Sequence, residues 1–365
     1  MKICLASITG SHYRRLIYSL MDKELNCNFI FGINHTTVKR LDTSIFHHSK
    51  DLQNKYLGSS NWYIQDSLEK LTKEYDVVIN DLSIFCLSAW KLLLFSKFRN
   101  QKVYNWDHGW YGREGFFKKW VKRAYFGIAD GAFIYGNYAR DLMIQNGFDG
   151  KKLHVIHNSL DYDKQLELRM KIQTLDLYKN YFRNDNPVIC FIGRLTPVKR
   201  LEQILYALDI LNNERKSFNC IFIGDGSEKE ELKKTAMGLG LYEQVWFYGA
   251  CYDEKTNAEL IYNADLCVAP GNIGLTAIHA MMFGCPCVSH NDFRYQMPEF
   301  EAIREGYTGC FFERNNVRAL ATAIVKWFVK NEGKRQDVRD ACFKEIDENW
   351  NPHKQVEIIR RVIYG

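Results

Sequence analysis

Short apolar runs alternate with helical patterns almost from one end of the chain to the other. Residues 3–7, 27–31, 77–80, 103–106, 132–135 and 153–156 are apolar runs of strand length, and the stretches between them repeat apolar positions at helical spacing. A run that is apolar on both faces belongs to a strand covered on both sides, so the pattern predicts a parallel sheet with crossover helices. It restarts at 188–192, 220–223, 245–248, 266–269, 287–290 and 310–312, which predicts a second doubly wound sheet. Between the two halves, DYDKQLELRMKIQTLDLYKNYFRNDN is polar and charged and ends before a proline, as a linker would. The expected organisation is an N-terminal Rossmann-like domain over 1–160, a linker over 161–186, a C-terminal Rossmann-like domain over 187–345 and a C-terminal helix within 346–365. In that helix Val356, Ile359, Val362 and Ile363 share one face, which is expected to pack on one of the domains, the N-terminal one being the candidate.

Composition narrows the classes. A chain of 365 residues has room for two cores, and 46% hydrophobic with 25% charged residues is ordinary for a folded protein. The net charge of +6 suits anionic small molecules or an anionic lipid surface better than duplex nucleic acid, and no nucleic-acid partner is expected. The 11 cysteines, odd in number and mostly inside apolar runs, read as reduced, packed thiols of a cytoplasmic protein. Cys285 and Cys287 form a lone C-x-C without a second pair at zinc spacing, so no metal site is expected. MKICLASITG reads as a first strand rather than a signal peptide, and no apolar run reaches the roughly 18 residues of a membrane span.

Open parallel sheets bind ligands at the carboxyl ends of their strands. After the strand at 188–192 come Gly193, Arg194 and Lys199, two cations expected where a helix N-terminus already favours anions. A point charge beside a planar fork suits two adjacent phosphoryl groups, hence a diphosphate. Gly224 and Gly226 follow the next strand and permit close backbone approach, and Gly271, Asn272, Ile273 and Gly274 form a tight loop before a helix starting near Leu275 and Thr276. In the first half, ITGSHYRR places Gly10, Tyr13 and Arg14 in the loop after the first strand, where they are candidates for the acceptor side.

GRLTPVKR (193–200), GDGSEKEEL (224–232), VWFYG (245–249) and the segment 265–288 together resemble the donor half of a GT-B glycosyltransferase of the large retaining family 4. WDHG (106–109), GAFIYGNYARDLM (131–143) and VIHNSLD (155–161) extend the resemblance over nearly the whole chain. It implies two Rossmann-like domains facing a cleft, with Arg194 and Lys199 binding the nucleotide diphosphate, His108 near the donor sugar, and Gly271 to Leu275 facing that sugar. It also implies retention at the anomeric carbon and no cofactor or required metal. The sequence departs from the family at its Glu-x7-Glu motif, where it carries Gly271 and His279. In similar enzymes the first carboxylate contacts the sugar and the second the ribose. His279 can still accept a ribose hydrogen bond as a neutral imidazole, Gly271 offers only its backbone, and Asn272 has an amide for a sugar hydroxyl.

REGFFKKWVKRAYFG (113–127) sets Arg113, Lys118, Lys119, Lys122 and Arg123 among Phe116, Phe117, Trp120 and Val121, the composition of a helix lying on an anionic membrane surface or of a core helix with a basic outer side. The expected function is transfer of a sugar from a nucleotide diphosphate sugar, UDP ahead of GDP, to a hydroxyl of a glycan or lipid-linked glycan in polysaccharide or surface-glycan synthesis. The expected location is the cytoplasm, extending to the inner face of the membrane. A non-catalytic GT-B scaffold subunit and a nucleotide-sugar epimerase are the alternatives.

Overall fold

A computed structural model describes residues 1–34, 39–58 and 60–365. They form two compact units, Met1–Asp161 with Asn351–Gly365, and Tyr162–Trp350.

The first unit holds strands β1 (Ile3–Ser7), β2 (Cys27–Ile33), β3 (Ser49–Tyr56), β4 (Tyr63–Gln65), β5 (Val77–Asp81), β6 (Lys102–Asp107), β7 (Gly131–Ile134) and β8 (Leu153–Val155) in the order β4-β3-β2-β1-β5-β6-β7-β8. All neighbours are parallel except β3 and β4. The polar edge pair β3–β4 was not expected. In SKDLQNKY (β3) only Leu52 and Asn54 are buried, so a strand with a wet face has no apolar run to betray it. The unit's last element is the helix Pro352–Tyr364, started by Pro352 and by Asn351, whose side chain accepts from the Lys354 N–H at 2.9 Å. Its Val356, Ile359 and Ile363 enter the core beneath β1 and β5 with Ile17 and Met21 of the helix Arg15–Leu25.

The second unit holds β9 (Val188–Ile192), β10 (Asn219–Ile223), β11 (Val245–Gly249), β12 (Leu266–Ala269), β13 (Cys287–His290) and β14 (Gly309–Phe312), all parallel, in the order β11-β10-β9-β12-β13-β14. This is the 3-2-1-4-5-6 order of a Rossmann sheet, whose binding crevice opens where the order reverses. Here that point lies between β9 and β12, and in the first unit between β1 and β5.

Residues 161–186 are not a linker. They carry the helices Tyr162–Arg169 and Leu177–Phe182, and both belong to the second unit. Tyr178 and Phe182 are buried, Tyr178 Oη donates to the Leu260 carbonyl at 2.7 Å, and Arg169 pairs with Asp347 at 2.8 Å. The polar composition is the outer side of two short helices. The chain therefore passes between units at Asp161/Tyr162 and at Trp350/Asn351 rather than at 187 and 346.

Candidate functional site

In the second unit the loop after β9 is built on the loops after β10 and β12. Gly193 N–H donates to the Ile223 carbonyl at 3.0 Å, and Leu195 N–H to the Asp225 carbonyl at 2.9 Å. A Cβ on Gly224 would overlap the Gly193 carbonyl, one on Gly226 the Leu195 carbonyl, and one on Gly271 the backbone of Val198 and Lys199. These glycines thus serve loop-to-loop contact. A side chain at position 271 would have to displace that backbone.

Lys199 joins the two loops at the switch point. It ends the 3-10 turn Pro197–Lys199, its carbonyl accepts from Gly271 N–H at 2.9 Å, and its Nζ donates to the Asn272 carbonyl at 2.7 Å. Burial pushes its ammonium down to about 8, against the pull of Glu299 and with the help of the Arg194 charge. Arg194 is exposed and makes no ion pair or hydrogen bond among the described residues. Arg194 lies before this 3-10 turn and Lys199 ends it, two residues short of the helix Glu202–Asn213, so the cations flank a 3-10 turn rather than the expected first turn of the helix.

The remaining donor candidates divide. The Asn272 side chain is half-buried and unbonded among the described residues, and Gly274 turns with φ +55°. Ile273 points into the core, its N–H donating to Gln296 Oε1 at 2.9 Å, and the Thr276 hydroxyl donates to the Ile192 carbonyl at 2.8 Å. Both are structural, contrary to the expectation that they face a ligand. Leu275 precedes the helix Thr276–Met282, where the sequence placed its start. His279 on that helix lies with Nε2 2.9 Å from Glu254 Oε1.

In the first unit a cavity of about 270 Å³ opens at the carboxyl ends of β1, β5, β6 and β7, lined by Ser7, Tyr13, Arg14, Asp81, Trp106, Asp107, His108 and Tyr135 among others. Arg14 does line it, but its charge is engaged internally. Nη1 pairs with Asp81 Oδ2 at 2.7 Å, Nη2 donates to Tyr135 Oη, and the guanidinium carbon lies 5.4 Å from the Trp106 ring. Asp81 also accepts from the Ser7 hydroxyl at 2.7 Å, and burial holds its carboxyl above the ordinary range against the pull of Arg14. Gly10 lies behind this wall, packed on Thr43 and Phe31, and does not line the cavity. His108 meets Tyr135 edge-on at 4.9 Å and makes no hydrogen bond among the described residues, and Trp106 Nε1 is a buried donor likewise unpaired.

The loop carrying His108 is tied from below. Asp107 Oδ1 accepts from Gly109 N–H at 2.8 Å, Lys122 Nζ donates to the Gly109 carbonyl at 2.6 Å, and Glu114 accepts from the N–H groups of Tyr111 and Gly112 at 2.9 and 3.0 Å. Lys122 is therefore a buried brace rather than part of a basic outer face. The rest of the helix Phe116–Ile128 behaves differently: Phe116 is 90% and Trp120 65% exposed, and Phe98, at the end of the helix Leu87–Phe98, is 87% exposed.

Asp81, Tyr135, Glu114 and Glu254 were missed by sequence reading. Asp81 alone left a signal, being a carboxylate at the carboxyl end of an apolar strand, VVIND.

Residues 174–344 match the family of glycosyl transferases group 1. Over 274 residues, 74% of its length, the chain is 23% identical to an uncharacterized glycosyltransferase, MJ1069, of Methanocaldococcus jannaschii, and it spans 64% of that relative's length. Its fold is similar to that of Anabaena HepE in complex with UDP, with TM-score 0.73 and 16% identity, covering 100% of both chains. It is similarly close to the lipopolysaccharide outer core galactosyltransferase WaaB, with TM-score 0.72 and 15% identity, covering 100% of this chain and 99% of the other. The two doubly wound domains are those of the GT-B fold.

Proposed function

We propose that this chain is a glycosyltransferase that moves a sugar from a nucleoside diphosphate sugar to a hydroxyl of a glycan or lipid-linked glycan. The observation that carries the reading is the pairing of Arg194 and Lys199 at the switch point of the second unit's sheet, with Lys199 held by the Asn272 carbonyl. An exposed guanidinium with no partner among the described residues, beside a partly desolvated ammonium, is a ready counter-charge for a diphosphate. The match of residues 174–344 to glycosyl transferases group 1 supports the same reading. UDP is put ahead of GDP because the structurally similar HepE is described with UDP and with UDP-glucose. A surface-glycan acceptor is put forward with the lipopolysaccharide outer core galactosyltransferase among the similar folds as its support.

In this mechanism Arg194 and Lys199 neutralise the charge that grows on the departing diphosphate, in the role a metal ion has in other folds, and the sugar keeps its anomeric configuration. The imidazole of His108, which makes no hydrogen bond among the described residues, polarises the acceptor. The cavity lined by Asp81, Tyr13 and Tyr135 takes the acceptor. The exposed aromatic residues of the helix Phe116–Ile128, flanked by Lys118 and Arg123, rest on an anionic membrane surface that presents the lipid-linked substrate.

The test is titration calorimetry of UDP, GDP, ADP and their sugars on the full chain, with Arg194→Ala and Lys199→Ala as controls. Tight binding of one nucleotide, lost in both variants, supports the donor site. Transfer to an acceptor that releases the free nucleotide separates this activity from epimerisation, and failure of every nucleotide to bind leaves the scaffold subunit.

A further inference from the structure

Position 279 carries an imidazole where the resemblance has a carboxylate, yet a carboxylate is close by. Glu254 opens the helix Glu254–Asn263, and its Oε1 lies 2.9 Å from His279 Nε2. The same oxygen accepts from Gln165 Nε2 at 2.7 Å, across from the short helix Tyr162–Arg169. Burial pushes the Glu254 carboxyl up, but the hydrogen bonds from His279 and Gln165 outweigh it and hold it below the ordinary range. An ionised carboxylate only accepts, so the imidazole proton of neutral His279 must sit on Nε2.

That leaves Nδ1 with a lone pair. Nδ1 has no partner among the described residues, and the His279 side chain keeps 16% of its surface exposed. His279 stands four residues beyond Leu275, about 6 Å along the helix axis from the loop whose carbonyl holds Lys199. A ribose is joined directly to its diphosphate, so its hydroxyls fall within a short step of Arg194 and Lys199.

We propose that Glu254 is a positioning residue of the donor site: through His279 it fixes the tautomer that offers Nδ1 as acceptor to a ribose hydroxyl of the nucleotide. The carboxylate missing from position 279 is thereby supplied from position 254 through an imidazole. The inference rests on the donor-site reading above and adds Glu254, which neither the motifs nor the family likeness singles out.

The experiment compares, by calorimetry on the full chain, the tightest-binding of UDP, GDP and ADP with its 2′-deoxy and 3′-deoxy analogues and with inorganic pyrophosphate. The unaltered protein should prefer the ribonucleotide over one deoxy analogue by about tenfold, the worth of one hydrogen bond. Glu254→Ala should erase that preference while pyrophosphate, which needs only Arg194 and Lys199, binds as before. Glu254→Gln should keep the preference, because Gln165 donates to the same oxygen and orients the amide carbonyl toward His279. A preference that survives Glu254→Ala, a loss of pyrophosphate binding in that variant, or a failure of Glu254→Gln to rescue each overturns the proposal and leaves the donor site standing. Absence of any nucleotide binding to the unaltered chain overturns both.

Discussion

Lys122 Nζ lies 3.1 Å from Glu114 Oε1 with both side chains buried, 7% and 2% exposed. The pair is saturated by the backbone of the loop that carries His108, which accepts from the lysine at Gly109 and donates to the glutamate at Tyr111 and Gly112. Removing one partner leaves an uncompensated buried charge. Lys122→Met is expected to cost about 3–5 kcal/mol in denaturant unfolding, and adding Glu114→Leu to recover a large part of it. Equal stabilities for the single and double variants would show that the charges are not coupled.

At Arg194 and Lys199 the loss should appear in turnover. Each alanine variant is expected to lower kcat/KM by roughly 2–4 kcal/mol of transition-state stabilisation, by analogy with other preorganised charge sites. Steady-state kinetics with the identified donor check this, and near-normal turnover of Arg194→Ala would remove it from the diphosphate site.

Lys199 also makes the donor site pH-dependent. Burial lowers its folded-state value to about 8 from the ordinary 10.5, so between these values the unfolded chain holds more protons than the folded one. This group's contribution to the unfolding free energy of the free protein therefore rises with pH across that window, and below about 8 the folded state carries the cost of a desolvated ammonium in full. Diphosphate affinity runs the other way, weakening by up to roughly tenfold per pH unit above that point. Calorimetry from neutral to alkaline pH should show this slope in the unaltered chain and none in Lys199→Met, which is expected to be the more heat-stable of the two when unliganded.

Restoring a side chain at position 271 should do harm. A Cβ there overlaps the backbone of Val198 and Lys199, so Gly271→Ala is expected to destabilise by about 1–3 kcal/mol and to displace the Lys199 loop, weakening pyrophosphate binding as well. Unfolding and binding measured on one preparation decide it, and a neutral outcome would show that the loop has room to move.

The aromatic helix predicts a lipid effect. Replacing Phe116, Phe117 and Trp120 together by alanine should reduce co-sedimentation with vesicles containing anionic lipid by at least about tenfold, since full burial of even one such side chain is worth about 1.5–3 kcal/mol. Added salt should weaken binding of the unaltered chain. Equal binding to neutral vesicles would exclude the cationic contribution of Lys118 and Arg123.

The buried strands were legible from the residue order alone, because an apolar run covered on both sides leaves a mark that no surrounding context alters. Residues 3–7, 188–192, 266–269 and 287–290 are strands at the positions read from the pattern. Strands with one wet face left no such mark, so β3 and β4 were missed, and the polar outer sides of two helices passed for a linker. Glycines and cations could be named from the chain, but not what they face. It took the folded chain to bring Gly224, Gly226 and Gly271 against neighbouring backbone, Arg14 against Asp81, and Lys122 into burial against Glu114. The partner of His279 stands 25 residues away on another helix. Periodicity is a property of neighbours along the chain, whereas a partner for a charge or a proton is fixed by which elements the fold brings together.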